Sequence, residues 1–135
     1  MKTIEIEVQK RFNDVDSFMH VNNVAQQMYF DLGKTDFYHR VMEEEVVVGR
    51  ERLVTVSTHT DYRGQIRFED PLVVRTGVER LGNKSLTMYQ QLVSRGADGA
   101  ERLCTESRSV MVAFDFEAQQ SIVIPERWRR RIEAL

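Results

Sequence analysis

One run of the chain is built for a long helix, and nearly all of the rest is built for strands. From about Val24 to about Met42 the apolar residues Val24, Met28, Leu32, Phe37 and Val41 recur at helical spacing. Ahead of that run, residues 3–11 alternate, with Ile4, Ile6 and Val8 on one face and Glu5, Glu7 and Gln9 on the other, as in a half-buried strand. Behind it come extended runs at 51–62, about 72–81, about 85–94 and about 101–114. Gly82-Asn83 between the second and third of these is a strong hairpin signal. Pro125 opens a short basic helix, where proline is well placed. One strand, one long helix and four antiparallel strands predict an α+β domain, its central helix wrapped by a curved antiparallel sheet of about five strands. A single helix covers one sheet face only, so the other face or an edge is expected to meet another subunit. Gly33 costs the helix about 1 kcal/mol relative to Ala and marks a point where another element packs closely.

The 135 residues suit one domain, 1–135, with no linker and no internal repeat. Net charge is -2, which implies neither nucleic acid nor an anionic membrane as partner. The C-terminal Arg127, Arg129, Arg130 and Arg131 form too short a patch, balanced by acids elsewhere, to change that. The lone Cys104 has no partner for an internal disulfide, and Met1 to Glu5 lacks the apolar stretch of a signal peptide. No run reaches the ~18 apolar residues of a membrane span. The expectation is a cytoplasmic protein. Glu43-Glu44-Glu45 reads as a solvated turn.

The chemistry concentrates where the first strand hands over to the helix. Asp14 to Asn23 packs two carboxylates, an imidazole and two amides into ten residues. Asn22 or Asn23 suits the N-cap, since its side-chain oxygen can accept from an N–H of the first turn. The remaining free N–H groups there suit a developing oxyanion. A carboxylate and an anion-stabilising helix start thus lie within a few residues of each other.

Arg11-Phe12-Asn13-Asp14-Val15-Asp16, then His20-Val21-Asn22-Asn23, then Tyr29-Phe30-Asp31-Leu32-Gly33-Lys34 resemble the pattern of the hotdog-fold acyl thioesterases of the 4-hydroxybenzoyl-CoA thioesterase type. The acyl-carrier-protein thioesterases carry a related form. The likeness follows the whole chain in element order, but its specificity sits in residues 11–34. Two residues depart from it: Met19 stands where the pattern usually has Gly, and Gln26 where an aromatic is usual. Both bear on the acyl pocket.

The resemblance implies hydrolysis of an acyl-CoA or acyl-carrier-protein thioester, with no metal and no cofactor beyond the coenzyme A of the substrate. It implies a hotdog fold in which two protomers join sheets edge to edge, as a homodimer or homotetramer, with each site shared. It places the catalytic carboxylate at Asp16, as general base or as nucleophile. Without the motif, an aspartate here would merely cap a turn. The backbone N–H of Asn23 points at the thioester carbonyl, His20 orients Asp16 or bonds that carbonyl, and Asn22 ties the loop to the helix. Asp14 is structural, holding the loop or pairing with Arg11. Asp31 is the back-up carboxylate. Lys84 and Ser85 match the element near the CoA nucleotide, Arg63 is a further phosphate candidate, and Arg67 reads as solvated. His20, His39 and His59, with Asp61, have no metal-ligand spacing. The rival readings are a non-catalytic acyl-thioester binding protein and a hotdog dehydratase, whose catalytic His and acid are set differently around the helix.

Overall fold

The computed structural model describes all residues, 1–135. Strand β1 (Thr3–Glu7) turns Ile4 and Ile6 inward and its glutamates outward. It is shorter than the expected 3–11. The Val8 N–H still bonds the Leu72 carbonyl at 2.9 Å, but the chain then leaves the sheet for a 3-10 turn, Phe12–Asp14. The cause is local: the Asp14 carboxylate accepts the Arg11 backbone N–H at 2.9 Å and folds the segment back on itself.

Helix α1 (Asn23–Phe37) follows and runs into a wider π-helical turn, Tyr38–Met42, so helical backbone reaches as far as the periodicity predicts. The buried stripe differs. Ala25, Gln26, Tyr29, Phe30, Gly33 and Phe37 face the sheet, whereas Val24, Met28 and Leu32 are 72%, 46% and 40% exposed. The helix carries two apolar stripes about 140° apart. The sheet takes the one with the aromatic rings and the glycine, because it buries more area at closer range. Only Phe37 and Val41 of the expected stripe are in the core.

Strands β2 (Glu51–Tyr62), β3 (Leu72–Leu81), β4 (Ser85–Arg95) and β5 (Glu101–Asp115) complete an antiparallel sheet in the order β1-β3-β4-β5-β2, curled round α1. A two-residue strand, β6 (Gln120–Ser121), pairs with the end of β5. The β3–β4 connection is the expected tight hairpin, closed by Gly82 N–H to Ser85 O at 2.8 Å. Gly33 lets α1 lie directly on the sheet: a Cβ there would come within 2.6 Å of Thr76 Oγ1 and 2.7 Å of Gln90 Nε2.

Helix α2 (Glu126–Glu133) closes one end, with Trp128 fully buried against Phe37, Met42 and Met111. Its arginines are anchors. Arg127 bonds Glu44 and Glu51, each at 2.7 Å, and Arg131 reaches Glu44 and the Met42 carbonyl. Glu44 is therefore a bridge to α2 and not part of a solvated turn. Burial works against its charge, but the bond from Arg127 outweighs it and holds the carboxyl below the usual range.

The sheet face turned away from α1 is laced with ions. Arg75 and Arg95 each pair with both Glu5 and Glu101, and Arg108 pairs with Glu79. At the sheet edges stand β1 and β2; among the strands β2 bonds only β5, and its other side is unpaired beyond Leu53, whose N–H bonds the Val46 carbonyl at 2.7 Å.

Candidate active site

The loop between β1 and α1 is itself a miniature hairpin. Val15 and Val21 bridge, Asp16 N–H bonds His20 O at 2.9 Å, and Met19 N–H bonds Asp16 O at 3.0 Å. The turn Ser17-Phe18-Met19 closes with Met19 in the left-handed region, at φ 62. Glycine is the residue that takes this conformation freely, so a methionine here stores strain. The loop is pinned from beyond: Val21 N–H bonds Ile66 O at 2.8 Å, and Phe68 N–H bonds Met19 O at 3.3 Å.

The two aspartates of the loop have opposite surroundings. Asp14 is buried, 2% exposed. It accepts from the Tyr29 hydroxyl at 2.6 Å, the Arg11 backbone N–H and the Arg11 guanidinium at 3.2 Å. Burial alone would raise its carboxyl, but these bonds, Tyr29 first, outweigh it and hold the pKa low. The same contact, with burial as the larger cause, pushes the Tyr29 hydroxyl up. Asp14 is thus the structural member, pairing with Arg11 as expected.

Asp16 is exposed. Its Oδ1 accepts the N–H groups of Phe18, at 2.9 Å, and His20, at 3.2 Å. These bonds fix the carboxylate's orientation, and its Oδ2 has no protein donor. A few residues on, Asn22 proves to be the N-cap, its side chain accepting from Ala25 N–H at 2.8 Å. The backbone N–H groups of Asn23 and Val24, at the positive end of α1, have no acceptor in the protein.

Asp16, His20, Asn22 and Asn23 line one open cavity of about 540 Å³ with Arg63, from the end of β2. That volume is in the range of small-molecule sites. Arg63 is half-committed. Its Nε bonds Glu106 at 3.0 Å and its Nη2 lies 3.6 Å from Asp61, while Nη1 has no partner. Glu106 is held below the usual carboxylate range by the Tyr89 hydroxyl and by Arg63. A fixed carboxylate with one free oxygen, lining the same cavity as the free amides of a helix start, can activate water or attack a carbonyl while the amides hold the oxyanion.

The sequence model of the thioesterase-like superfamily matches residues 10–132. The chain belongs to that superfamily. No curated protein matches it. Among solved structures, it is similar to a predicted thioesterase from Bacillus stearothermophilus, at 25% identity and TM-score 0.84, over 98% of this chain and 96% of that one. It is also similar to a thioesterase from Thermus thermophilus complexed with coenzyme A and zinc, at 25% identity and TM-score 0.79, over 96% and 91%. An Asp-to-Asn mutant of 4-hydroxybenzoyl-CoA thioesterase, complexed with 4-hydroxybenzoyl-CoA, shares the fold at 15% identity and TM-score 0.85, over 98% and 99%. The hotdog architecture and thioester hydrolysis expected from the motif are therefore those of this chain.

In this thioesterase, Lys84 and Ser85 lie apart from the cavity. Ser85 pairs with Val112 of β5, whereas Tyr62, at the cavity, pairs with Thr105. That separation along β5 is roughly 23 Å at strand spacing. The structure does not gather them with Asp16 within one protomer. Arg67 lines a neighbouring polar cleft with Asp70 and Arg102. Asp31 stands on the outer face of α1, 3.9 Å from Lys34 and outside the cavity. His59 bonds Asp61 at 3.2 Å on exposed β2, and no three His, Cys, Asp or Glu side chains gather in metal-binding geometry.

Sequence reading missed Tyr62 and Thr105. Tyr62 lines the cavity and receives a 3.1 Å bond from Gln27. Thr105 is fully buried and donates to Gln26 at 2.5 Å. Thr105, Ser107 and Ser109 alternate along β5 as a wet face would, yet all three are buried under α1 and β2. The available signal was Thr58 and Thr60 on β2, whose hydroxyls meet Ser109 and Ser107 at 3.2 and 3.0 Å.

Proposed function

We propose that this thioesterase is a cytoplasmic hydrolase of acyl-CoA thioesters, with Asp16 as its carboxylate base or nucleophile and the N–H of Asn23 as its oxyanion donor. One observation carries the reading: an oriented carboxylate with a free oxygen opens on the same cavity as unpaired helix-start amides. A thioester is already activated toward acyl transfer, so little more is required. His20 steadies the loop through its backbone bonds to Asp16 and leaves its ring at the cavity. Asn22 holds the helix start in place. CoA, not a protein-bound carrier, is the preferred thiol, because relatives of this fold bind CoA and its thioesters. No cofactor beyond that CoA is proposed.

The working unit is proposed to be at least a homodimer, joined along the bare edge of β2. The face away from α1 is a lattice of ion pairs, poorly suited to an apolar interface, whereas β2 exposes Val56 and Tyr62, with Val24 of α1 beside Tyr62. In such a dimer a second protomer could supply the Lys84 and Ser85 that one protomer keeps distant from its own cavity.

Thiol release from acyl-CoAs of varied length tests the reaction. Asp16→Asn should lower the rate by about 10²–10⁴-fold while the fold persists. A variant within a few-fold of wild type sinks the assignment and moves attention to Asp31. Sedimentation equilibrium tests the assembly: a fully active species at 15.8 kDa would rule out a shared site.

A further inference from the structure

We infer that the acyl group this enzyme prefers carries a neutral oxygen, a hydroxyl or keto group, close beyond its thioester carbonyl, and that Gln26 selects it. The inference rests on the thioesterase reading of the cavity and adds the substrate class. Gln26 is 3% exposed and lines the cavity beside Asn23. Its amide orientation is settled by its neighbours: Oε1 accepts from the Thr105 hydroxyl at 2.5 Å, and Nε2 donates to the Val21 carbonyl at 3.4 Å. A primary amide nitrogen has two hydrogens. The second has no protein acceptor.

Gln26 follows Asn23 by three residues on the same helix, about 4.5 Å along its axis. A thioester whose carbonyl sits at the Asn23 N–H thus has the Gln26 amide within reach of the first atoms of its acyl chain. A second donor lines the same cavity. The Tyr62 hydroxyl lines the same cavity and already accepts from Gln27 at 3.1 Å, so its own hydrogen is free to point outward. Two donors at one cavity suit an oxygen with two lone pairs. A bare alkyl chain would cover the buried Gln26 amide and leave its second hydrogen unpaired, which is costly for a buried donor. A carboxylate is disfavoured by Asp16, which lines the same cavity. Sites built to bond a substrate oxygen reject the analogue lacking it far more strongly than apolar pockets reject an added group.

The test compares matched probes that differ by one oxygen, 3-hydroxybutyryl-CoA and 4-hydroxybutyryl-CoA against butyryl-CoA. Wild-type kcat/KM should favour at least one hydroxylated probe by about 10-fold or more, and Gln26→Met, close in volume, should bring that ratio to near one. Calorimetric Kd values for the same probes on Asp16→Asn, with and without Gln26→Met, keep the two readings distinct. Should no probe release thiol, the hydrolase reading fails while the Kd ratio still decides the role of Gln26. A merely structural Gln26 would weaken all probes alike. Equal use and equal binding of butyryl-CoA by the wild type, or a ratio unmoved by Gln26→Met, overturns the inference.

Discussion

The two ends of the groove between α1 and the sheet are built on opposite principles. Under α2, the chain packs Phe37, Met42, Val46, Met88, Met111 and Trp128 into an apolar cluster and clamps it with Arg127 and Arg131 on Glu44. Beneath the Asp16 loop, a second apolar cluster around Tyr29, Phe30 and Leu92 is interrupted by buried Asp14, Gln26 and Thr105. A buried polar group stabilises only if bonded, so this second end spends hydrogen bonds where the first spends area. The comparison teaches a division of labour. One end holds the molecule together, and the other accepts a smaller apolar gain to keep polar atoms at the cavity.

The sharpest way to break this contrast is at Trp128. Trp128→Ala empties a fully buried site and should cost about 3–5 kcal/mol in urea unfolding, with kcat/KM of the remaining folded enzyme unchanged. A matching drop in kcat/KM would show that the ends are coupled.

Asp14 probes the other end. Asp14→Asn removes a charge that holds Tyr29 and Arg11, and should cost about 2–3 kcal/mol. Its folded pKa is lowered, so its contribution is complete above the unfolded carboxylate value and is lost as pH falls through the folded one. The loss of stability on acidification should therefore be steeper in wild type, and its slope should flatten in Asp14→Asn. Unfolding midpoints across the acid range measure both.

Gly33→Ala lies between the two ends. The new Cβ gains helix propensity but collides with Thr76, Gln90 and Val74, so a net loss of about 1–2 kcal/mol is expected, read as a lower Tm. The smallest effect is expected at Met19. Met19→Gly relieves the left-handed strain of the Asp16 turn and should stabilise by up to about 1 kcal/mol, less the entropy glycine brings to the unfolded chain.

Much of this was legible from residue types alone. Extended runs located every long strand, Gly82-Asn83 located its hairpin, and Asp16 and Asn23, singled out in the sequence, line one cavity. What failed did so for physical reasons. Two apolar stripes on α1 compete for one sheet, and periodicity cannot say which will win: Val24-Met28-Leu32 lost to Tyr29-Phe30-Gly33 because the glycine admits closer contact. The hydroxyls of Thr105, Ser107 and Ser109 resemble a solvent face until Gln26, Thr58 and Thr60 supply their partners from elsewhere in the chain. Glu44 reads as solvated until Arg127 arrives from the far end of the sequence.

The unpaired side of β2 carries a consequence for how the protein must be made and kept. A newly synthesised protomer displays a long row of open amides and carbonyls, a template for any extended peptide nearby. The register shift between Thr55 and Ser57, which throws Val56 outward, and the charged Asp61 roughen that template without closing it. Capping by a second copy, as proposed above, would be a form of quality control as well as assembly. Thermal resistance should climb with protein concentration, and dilute protomers should be the ones that clump.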